Sequence, residues 1–302
     1  MTIHYNDRVA VITGAGHGLG RAHAMLLAAR GAKVVVNDLG GQVDGTGADA
    51  GAAQSVADEI AADGGTAIAN ADDIATRTGA ENLIRQAHDA WGRVDILINN
   101  AGILRDKSFH NMSLDDFETV LKVHLLGSVY CTHAAWPLMR AQSYGRVLMT
   151  TSAAGLYGNF GQSNYGAAKM GLIGLMNALK QEGRKYNITV NTLAPVAGTR
   201  MGATIFPDEV MPLLRPELVS AAAGYLVSED CTASGEIIAA GAGYYSRVQV
   251  VEGKGVSLDP AGNVTPDLVG EMWDEIIDMD GAAPFEQALD VVQRVFQNLK
   301  RD

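Results

Sequence analysis

The chain has 302 residues, 47% apolar and 19% charged, proportions that fit a compact soluble protein long enough for one large core. Its 23 basic and 34 acidic residues leave a formal net charge of −11, which repels phosphate polyanions and argues against nucleic acid or an anionic membrane as partner, simple solubility being the plainer cause of the excess. Cys131 and Cys231 lie far apart and the seven histidines form no H-E-x-x-H pattern, so neither a disulfide framework nor a metal site is expected, and a reducing compartment is the default.

No basic segment followed by a long apolar run opens the chain, and no apolar stretch is as long as a membrane span; neither a signal peptide nor a transmembrane helix is expected. The first strand is expected at Val9 to Thr13. It leads into T-G-A-G-H-G-L-G, Thr13 to Gly20, and a helix from about Gly18 to Arg30. A glycine-rich turn between strand and helix lets a pyrophosphate reach free N–H groups at the helix N-terminus, which makes Gly14, Gly18, Leu19 and Gly20 cofactor-binding candidates. His17, inside the loop, either brings positive charge to that site or is a solvated loop histidine, the plainer reading.

The second strand, Lys33 to Asn37, ends at Asp38. An acidic side chain there accepts hydrogen bonds from the 2′- and 3′-hydroxyls of a ribose and repels a 2′-phosphate, so the cofactor expected is NAD rather than NADP. Leu39 to Gly51 is a long glycine-rich connection that either touches cofactor or substrate or is a surface loop, the plainer reading. A helix from about Asp49 to Asp63 leads to a third strand, Thr66 to Asn70, after which Asp72 or Asp73 is placed to meet the adenine edge. Ile96 to Asn99 is the fourth strand and closes with Asn100, Ala101 and Gly102. That run lines the cofactor site, forms a tight turn whose Asn side chains satisfy strand carbonyls, or does both. Strands at Arg146 to Thr151, Ile188 to Leu193 and Gly235 to Gly241 complete a Rossmann-type α/β fold, a doubly wound parallel sheet of seven strands.

Tyr165 and Lys169 stand four apart in Y-G-A-A-K, thirteen residues after Ser152. On a helix such residues share a face, so the ammonium can reach the neighbourhood of the phenol. A phenol titrates near about 10, and a fixed cation favours the phenolate and lowers that value. Acid–base pair and glycine loop together indicate an oxidoreductase. After Val256 the pattern changes: S-L-D-P-A-G-N-V-T-P breaks structure, Thr265 and Pro266 start a helix, and amphipathic segments follow at about Asp267 to Asp278 and Phe285 to Leu299. The expected division is an NAD-binding domain with an integrated active site over 1–256 and a helical extension over 257–302.

Over residues 5 to 250 the motifs T-G-A-G-H-G-L-G, N-N-A-G, Ser152 and Y-x-x-x-K resemble the short-chain dehydrogenase/reductase family in order and spacing. A narrower resemblance, through V-V-V-N-D-L-G-G, N-N-A-G-I-L-R-D, A-A-G-L-Y-G-N-F-G-Q-S-N-Y and L-A-P-V-A-G-T-R-M and on into the helical tail, is to the (3R)-hydroxyacyl-CoA dehydrogenase part of peroxisomal multifunctional enzymes of type 2. The chain lacks their downstream hydratase and sterol-carrier domains and ends L-K-R-D, without a peroxisomal signal; a cytoplasmic enzyme is expected. The resemblance implies that Tyr165 is the general acid–base, that Lys169 lowers its pKa and binds the nicotinamide ribose, and that Ser152 holds the substrate oxygen. It also implies an interface between helices, a role suited to the small residues Gly166, Ala167, Ala168, Gly171 and Gly174, and hence a homodimer or homotetramer; internal packing would use the same residues.

Two positions depart from the family pattern. Where an N-x-x-G asparagine usually joins a proton relay, K-V-H-L-L-G places His124, either a relay or a core histidine satisfied by a backbone group. The usual Pro-Gly after the sixth strand reads P-V-A-G-T, leaving Thr199 to hold the carboxamide or pyrophosphate. Arg200 to Pro216 mixes apolar residues with prolines where the fold places a substrate lid; Met201, Phe206, Met211 and Leu214 either meet an acyl chain or steroid or pack on the core. The function expected is NAD-dependent oxidation of a 3-hydroxyacyl-CoA. The alternatives are a hydroxysteroid or other secondary-alcohol dehydrogenase, a carrier-protein thioester reductase, which Asp38 disfavours, and a non-catalytic NAD sensor, against which the intact triad speaks.

Overall fold

Val-Ala-Val-Ile-Thr at Val9–Thr13 is buried along its whole length, as a strand covered by helices on both faces must be. It is β1 of a sheet continued by β2 (Lys33–Asn37), β3 (Thr66–Asn70), β4 (Ile96–Asn99), β5 (Gly145–Thr150), β6 (Ile188–Val196), β7 (Ile237–Gly241) and β8 (Tyr244–Val248). The spatial order is β3-β2-β1-β4-β5-β6-β7-β8, and every pair from β3 to β7 is parallel. This computed structural model describes residues 2–201, 207 and 209–298, and the chain divides into two compact units, Met1–Arg247 and Val248–Asp302.

Among the described residues the sheet has eight strands, one more than expected. After β7 the chain reverses through Ala242 and Gly243, both at positive φ, a two-residue hairpin turn that matches strand twist. The added strand, Y-Y-S-R-V, carries no buried residue, so the continuous apolar run that marked the inner strands is missing from it.

The helices alternate with the strands: α1 (Gly18–Ala29), α2 (Gly51–Ala62), α3 (Arg77–Trp91), α4 (Leu114–Leu121), α5 (Gly127–Gln142), α6 (Ala153–Tyr157), α7 (Ser163–Gly183) and α8 (Pro216–Leu226). α1 packs against α8 and α2, while α3 packs against α5 and α7 against β6, the helical cover that a parallel sheet requires. Ile12, Leu27, Ile96, Leu97, Leu148 and Leu172 are among the largest fully buried side chains, each stabilising by roughly 1.5–3 kcal/mol relative to exposure. Thr76 starts α3 by accepting the Gly79 N–H at 3.1 Å, and left-handed Gly92 ends it.

Between α4 and α5 the helix is continuous but wider. Over Lys122–Leu126 the backbone forms a π turn, the Gly127 N–H reaching the Lys122 carbonyl five residues back. Such a turn shifts the helical register by one residue, and His124 is the residue buried within it.

In the second unit Thr265 accepts the Leu268 N–H at 3.2 Å and starts α9 (Pro266–Glu271), followed by α10 (Trp273–Ile276) and α11 (Ala288–Asn298). One helix was expected from Asp267 to Asp278; the structure has two, broken at Met272. The expected end of the last helix, Leu299, lies outside the described residues. Glu252 bridges to Ala283, and Arg294 donates to the carbonyls of Gly253 and Lys254, each at 2.7 Å. Among the described residues no helix is long and apolar enough to cross a membrane, and no cluster of three or more His, Cys, Asp or Glu is arranged to hold a metal ion.

Candidate active site

The strand order reverses between β1 and β4, where an open α/β sheet leaves a crevice at the strands' C-terminal ends. A cavity of ≈ 470 Å³ lies in this part of the molecule, and Gly14, Gly18, Leu19, Asp38, Asp72, Asp73, Asn100, Ala101, Gly102 and Thr199 all line it. Tyr165 and Lys169, also expected to meet the cofactor, are not among its lining residues, and neither is Gly20. It lies below, where a Cβ would overlap the Gly14 carbonyl and come within 2.6 Å of the Asn100 amide nitrogen, so its bareness serves packing. The Asn100 side chain bonds the carbonyls of Thr13 and Gly14, both at 3.0 Å. It thus serves the turn and lines the cavity at once.

These residues fit a nicotinamide dinucleotide. The first turn of α1 carries no acidic side chain, so its free N–H groups and the positive end of its dipole are open to a pyrophosphate. Asp38 stands at the end of β2 with both oxygens engaged by loops: Oδ2 accepts the Gly16 N–H at 2.8 Å and Oδ1 the Gly40 N–H at 2.7 Å. Each carboxylate oxygen keeps a further lone pair for a ribose hydroxyl. His17 is exposed and also lines the cavity.

The connection after Asp38 is more than a surface loop. Gln42, Val43 and Gly45 line the cavity; the Val43 carbonyl accepts the Leu104 N–H at 2.8 Å, and Arg105 Nε donates to the Asp44 carbonyl at 2.9 Å. Glycine content had disguised this wall as solvent-exposed chain. Of the lid candidates, Met201 lines the same cavity, Leu214 is buried, and Met211 approaches Gly198. Phe206 lies outside the described residues.

Ser152 leaves β5 as the N-cap of α6, its Oγ accepting the Ala154 N–H at 3.2 Å. Its hydroxyl also acts on the Tyr165 phenol, favouring the phenolate against burial. Tyr165 and Lys169 lie on successive turns of α7, with Lys169 Nζ 5.4 Å from the centre of the phenol ring. Lys169 is 3% exposed, and its Nζ donates to the Thr150 carbonyl at 2.5 Å. Burial pushes this ammonium down to about 7.

The lowering of the phenol expected from Lys169 is absent in the protein alone. Burial raises Tyr165 above its ordinary value; the Ser152 hydroxyl opposes that shift and the Asp106 carboxylate adds to it. The same loss of water that disfavours the phenolate also disfavours the ammonium, which weakens the support that either charge gives the other.

His124 is 2% exposed. Its Nε2 faces both the N–H of Ile103, at 3.0 Å, and its carbonyl, at 2.8 Å, so a backbone partner exists in either tautomer, while Nδ1 has none. Burial, then the charge of Lys169, hold the imidazole well below its ordinary pKa, against the opposing bond to Ile103. A Cβ on Gly102 would overlap the ring. Sequence reasoning passed over two neighbours. Asp106 accepts Gln162 Nε2 at 2.7 Å, and buried Asn164 accepts the Tyr165 N–H at 2.7 Å while donating to the Arg105 carbonyl at 3.1 Å. Only the adjacency of Asn164 to Tyr165 hinted at this.

Comparison with known proteins places this geometry. The family model for short chain dehydrogenases matches residues 8–210. A Mycobacterium tuberculosis protein named as a short-chain type dehydrogenase/reductase is 51% identical over 91% of this chain and 96% of its own. Peroxisomal multifunctional enzyme type 2 of Drosophila melanogaster is 47% identical over 93% of this chain, and its solved full-length structure superposes with a TM-score of 0.85 at 39% identity, over 99% of this chain and 50% of that one. The chain therefore spans about half the length of that relative. A 7α-hydroxysteroid dehydrogenase solved with NADH and 7-oxo glycochenodeoxycholic acid matches with a TM-score of 0.72 at 30% identity, over 80% of this chain and 95% of that one.

Proposed function

The chain belongs to the short-chain dehydrogenase/reductase family, and on that premise we propose that it oxidises a 3-hydroxyacyl-CoA to the 3-oxoacyl-CoA with NAD. It is an oxidoreductase with a nicotinamide cofactor and a small-molecule substrate; the enantiomer, the acyl-CoA and the choice of NAD over NADP are the proposed part. The observation that carries the reading is the meeting of Ser152, Tyr165 and Lys169 at the end of β5 in a chain whose dinucleotide cavity has Asp38 on its wall. The acyl-CoA draws on the likeness to multifunctional enzyme type 2, which runs through 93% of the chain.

The Ser152 hydroxyl, held by the Ala154 N–H, orients the substrate oxygen toward Tyr165. Tyr165 takes the hydroxyl proton as general base in oxidation and returns it as general acid in reduction. An oxidised nicotinamide held here would supply the acceptor for the hydride from C3 and a positive charge near the phenol. Lys169 holds the nicotinamide ribose, and Asp38 the adenosine ribose while rejecting a 2′-phosphate. Gly14, Gly18 and Leu19 carry the pyrophosphate at the α1 N-terminus, Asn100, Ala101 and Gly102 form the wall beside it, and Thr199 faces Gly18 across the cavity, its Cγ2 3.1 Å from where a Cβ on Gly18 would stand.

The test is NADH formation, followed by absorbance, with (3R)- and (3S)-hydroxyacyl-CoAs of several chain lengths and Tyr165→Phe as control. Turnover of the R form that vanishes in the variant is the expected result; no turnover with any chain length of either enantiomer overturns the substrate reading. A hydroxysteroid or other secondary alcohol is the second reading, favoured by the likeness to the 7α-hydroxysteroid dehydrogenase, and comparison of steroid with acyl-CoA turnover separates the two. A cytoplasmic homodimer or homotetramer belongs to the same proposal. Gly174 on α7, where a Cβ would meet nothing within 4 Å, leaves room for a second helix.

A further inference from the structure

Each residue from Ile103 to Lys107, the segment that follows the Asn100–Gly102 turn, is hydrogen-bonded to another part of the fold, and the partners fall on two sides. On the side of the dinucleotide cavity the Leu104 N–H donates to the Val43 carbonyl at 2.8 Å and Arg105 Nε to the Asp44 carbonyl at 2.9 Å. Gln42, Val43 and Gly45 line that cavity. On the side of α7 the Arg105 carbonyl accepts Asn164 Nδ2 at 3.1 Å, Asp106 accepts Gln162 Nε2 at 2.7 Å, and the Lys107 N–H donates to the Gly161 carbonyl at 2.9 Å. Ile103 holds His124, whose ring stands against that of Tyr165.

The two sides meet at Arg105. Its side chain is 24% exposed, and besides the Asp44 carbonyl its guanidinium reaches Asp116 Oδ1 on α4 at 3.0 Å, while Lys107 Nζ takes the other Asp116 oxygen at 3.2 Å. A guanidinium presents its donors in a fixed planar fork, so two such bonds also fix the main chain that carries it. The Arg105 carbonyl then meets Asn164, which is 0% exposed and lies in the first turn of α7. There the N–H groups have no partner inside the helix, and Asn164 Oδ1 accepts the N–H of Tyr165 at 2.7 Å. One buried carboxamide thus joins the Arg105 carbonyl to the main chain of Tyr165. Arg105 itself does not line the cavity; it acts through what it holds.

We propose that Arg105 is a positioning residue for Tyr165: its guanidinium takes up the placement of the cavity wall around Val43 and Asp44, and its carbonyl passes that placement through Asn164 to the Tyr165 main chain, so that a dinucleotide seated against the wall also steadies the phenol. This rests on the reading of the cavity as an NAD site and of Tyr165 as the acid–base. The first turn of a helix lacks internal partners for its N–H groups and opens more readily than its middle, and Tyr165 stands in that turn. Proton transfer tolerates little displacement, a misplacement of about 1 Å being enough to cost roughly a hundredfold in rate. A tie between the wall and this turn therefore makes the phenol steadiest when the cofactor is present, which is when the reaction needs it.

The test is amide hydrogen exchange read by mass spectrometry, with and without saturating NAD, in the wild type, Arg105→Met and Asn164→Ala, beside steady-state kinetics with the secondary alcohol that the wild type oxidises fastest. Thermal melts without ligand show that each variant is folded. In the wild type NAD is expected to slow exchange in the glycine loop, 13–20, and by roughly tenfold in peptides covering 161–168. In both variants the glycine loop stays protected at saturating NAD while the effect at 161–168 is lost, and kcat falls about tenfold to a hundredfold. The affinity of Asn164→Ala for NAD is unchanged, because the bonds from Arg105 to the wall remain. Arg105→Lys, a cation without the fork, recovers part of kcat. A merely structural role would lower the melting temperature and leave kcat and the NAD effect at 161–168 in place. Protection at 161–168 that persists in either variant, a wild-type kcat in a folded variant, or a wild type protected in the glycine loop but not at 161–168 overturns the role of Arg105 while leaving NAD binding intact. If Arg105→Met does not fold, Arg105→Lys and Asn164→Ala decide by the same readouts. A wild type that oxidises none of the alcohols overturns the catalytic reading, and the exchange pattern alone then decides on Arg105. A wild type whose glycine loop NAD does not protect overturns the cofactor reading and the proposal with it.

Discussion

The His124 imidazole stands edge-on to the Tyr165 phenol, ring centroids 5.1 Å apart and planes at 89°. With Nε2 against the Ile103 backbone and the ring kept neutral by burial and by Lys169, His124 supports the phenol as an uncharged ring. His124→Phe keeps an aromatic edge but strips the Ile103 backbone of its partner. The expected cost is about tenfold to a hundredfold in kcat/KM, with no limb gained or lost between pH 5 and 8. An ionisation near pH 6–7 that disappears in the variant would show instead that the imidazole exchanges protons.

Gly102→Ala attacks the same contact from the other side, since its methyl would overlap the His124 ring. Overpacking of this kind costs about 1–3 kcal/mol. The variant is expected to lose both thermal stability and turnover, whereas His124→Ala combined with it should regain part of the stability. Two losses that simply add in the double variant would mean that the two sites do not share the space.

Tyr165 is raised above its ordinary pKa by burial, so at neutral pH the acid form prevails. Alcohol oxidation requires the base form, whose fraction grows about tenfold per pH unit below the pKa. kcat/KM for oxidation should therefore climb from pH 6 toward 9, while that for reduction stays level over the same range, where the acid form prevails throughout. A rise in one direction beside a level profile in the other is the expected result, and equal slopes speak against Tyr165 as the titrating group.

Lys169 titrates at about 7 in the folded chain against an ordinary 10.5. Between these values the unfolded chain holds a proton that the folded chain lacks, so this group makes stability rise with pH across that window. Its burial is a cost below pH 7 and fades toward 10.5. Lys169→Met should be more stable than wild type by roughly 2–4 kcal/mol at pH 6, with the gap shrinking as pH rises to 10. Turnover should be lost at every pH. Urea melts at both ends of the range check the first two statements.

Asp38→Ala removes the acceptor of the Gly16 and Gly40 N–H groups together with the charge facing a 2′-phosphate. NADP affinity relative to NAD is expected to rise by about tenfold or more, and stability to fall by about 1–3 kcal/mol through the two freed donors. Unchanged selectivity with reduced stability would assign Asp38 to holding the loops alone.

Much of this protein was legible from local pattern. The runs at Val9–Thr13, Lys33–Asn37, Thr66–Asn70 and Ile96–Asn99 appear as strands with the expected bounds; apart from Thr66–Asn70 at the edge of the sheet, they are inner parallel strands, apolar because both faces are covered. The glycine loop, Asp38 and the Tyr165–Lys169 pair were readable because each depends on spacing within one element or across one turn. What spacing could not supply was the environment. Burial, a sum over residues from many elements, reversed the expected direction for the phenol and brought Lys169 close to neutrality. The π turn that holds His124, the wall built by Val43 and Asp44, and the tie between the Arg105 carbonyl and Asn164 all join segments distant in sequence or change a helix register. Sequence determined which groups the protein carries to its crevice; only the packed structure decided which are charged, which are free and which hold the others in place, because desolvation and hydrogen-bond saturation belong to the whole fold and to no single segment.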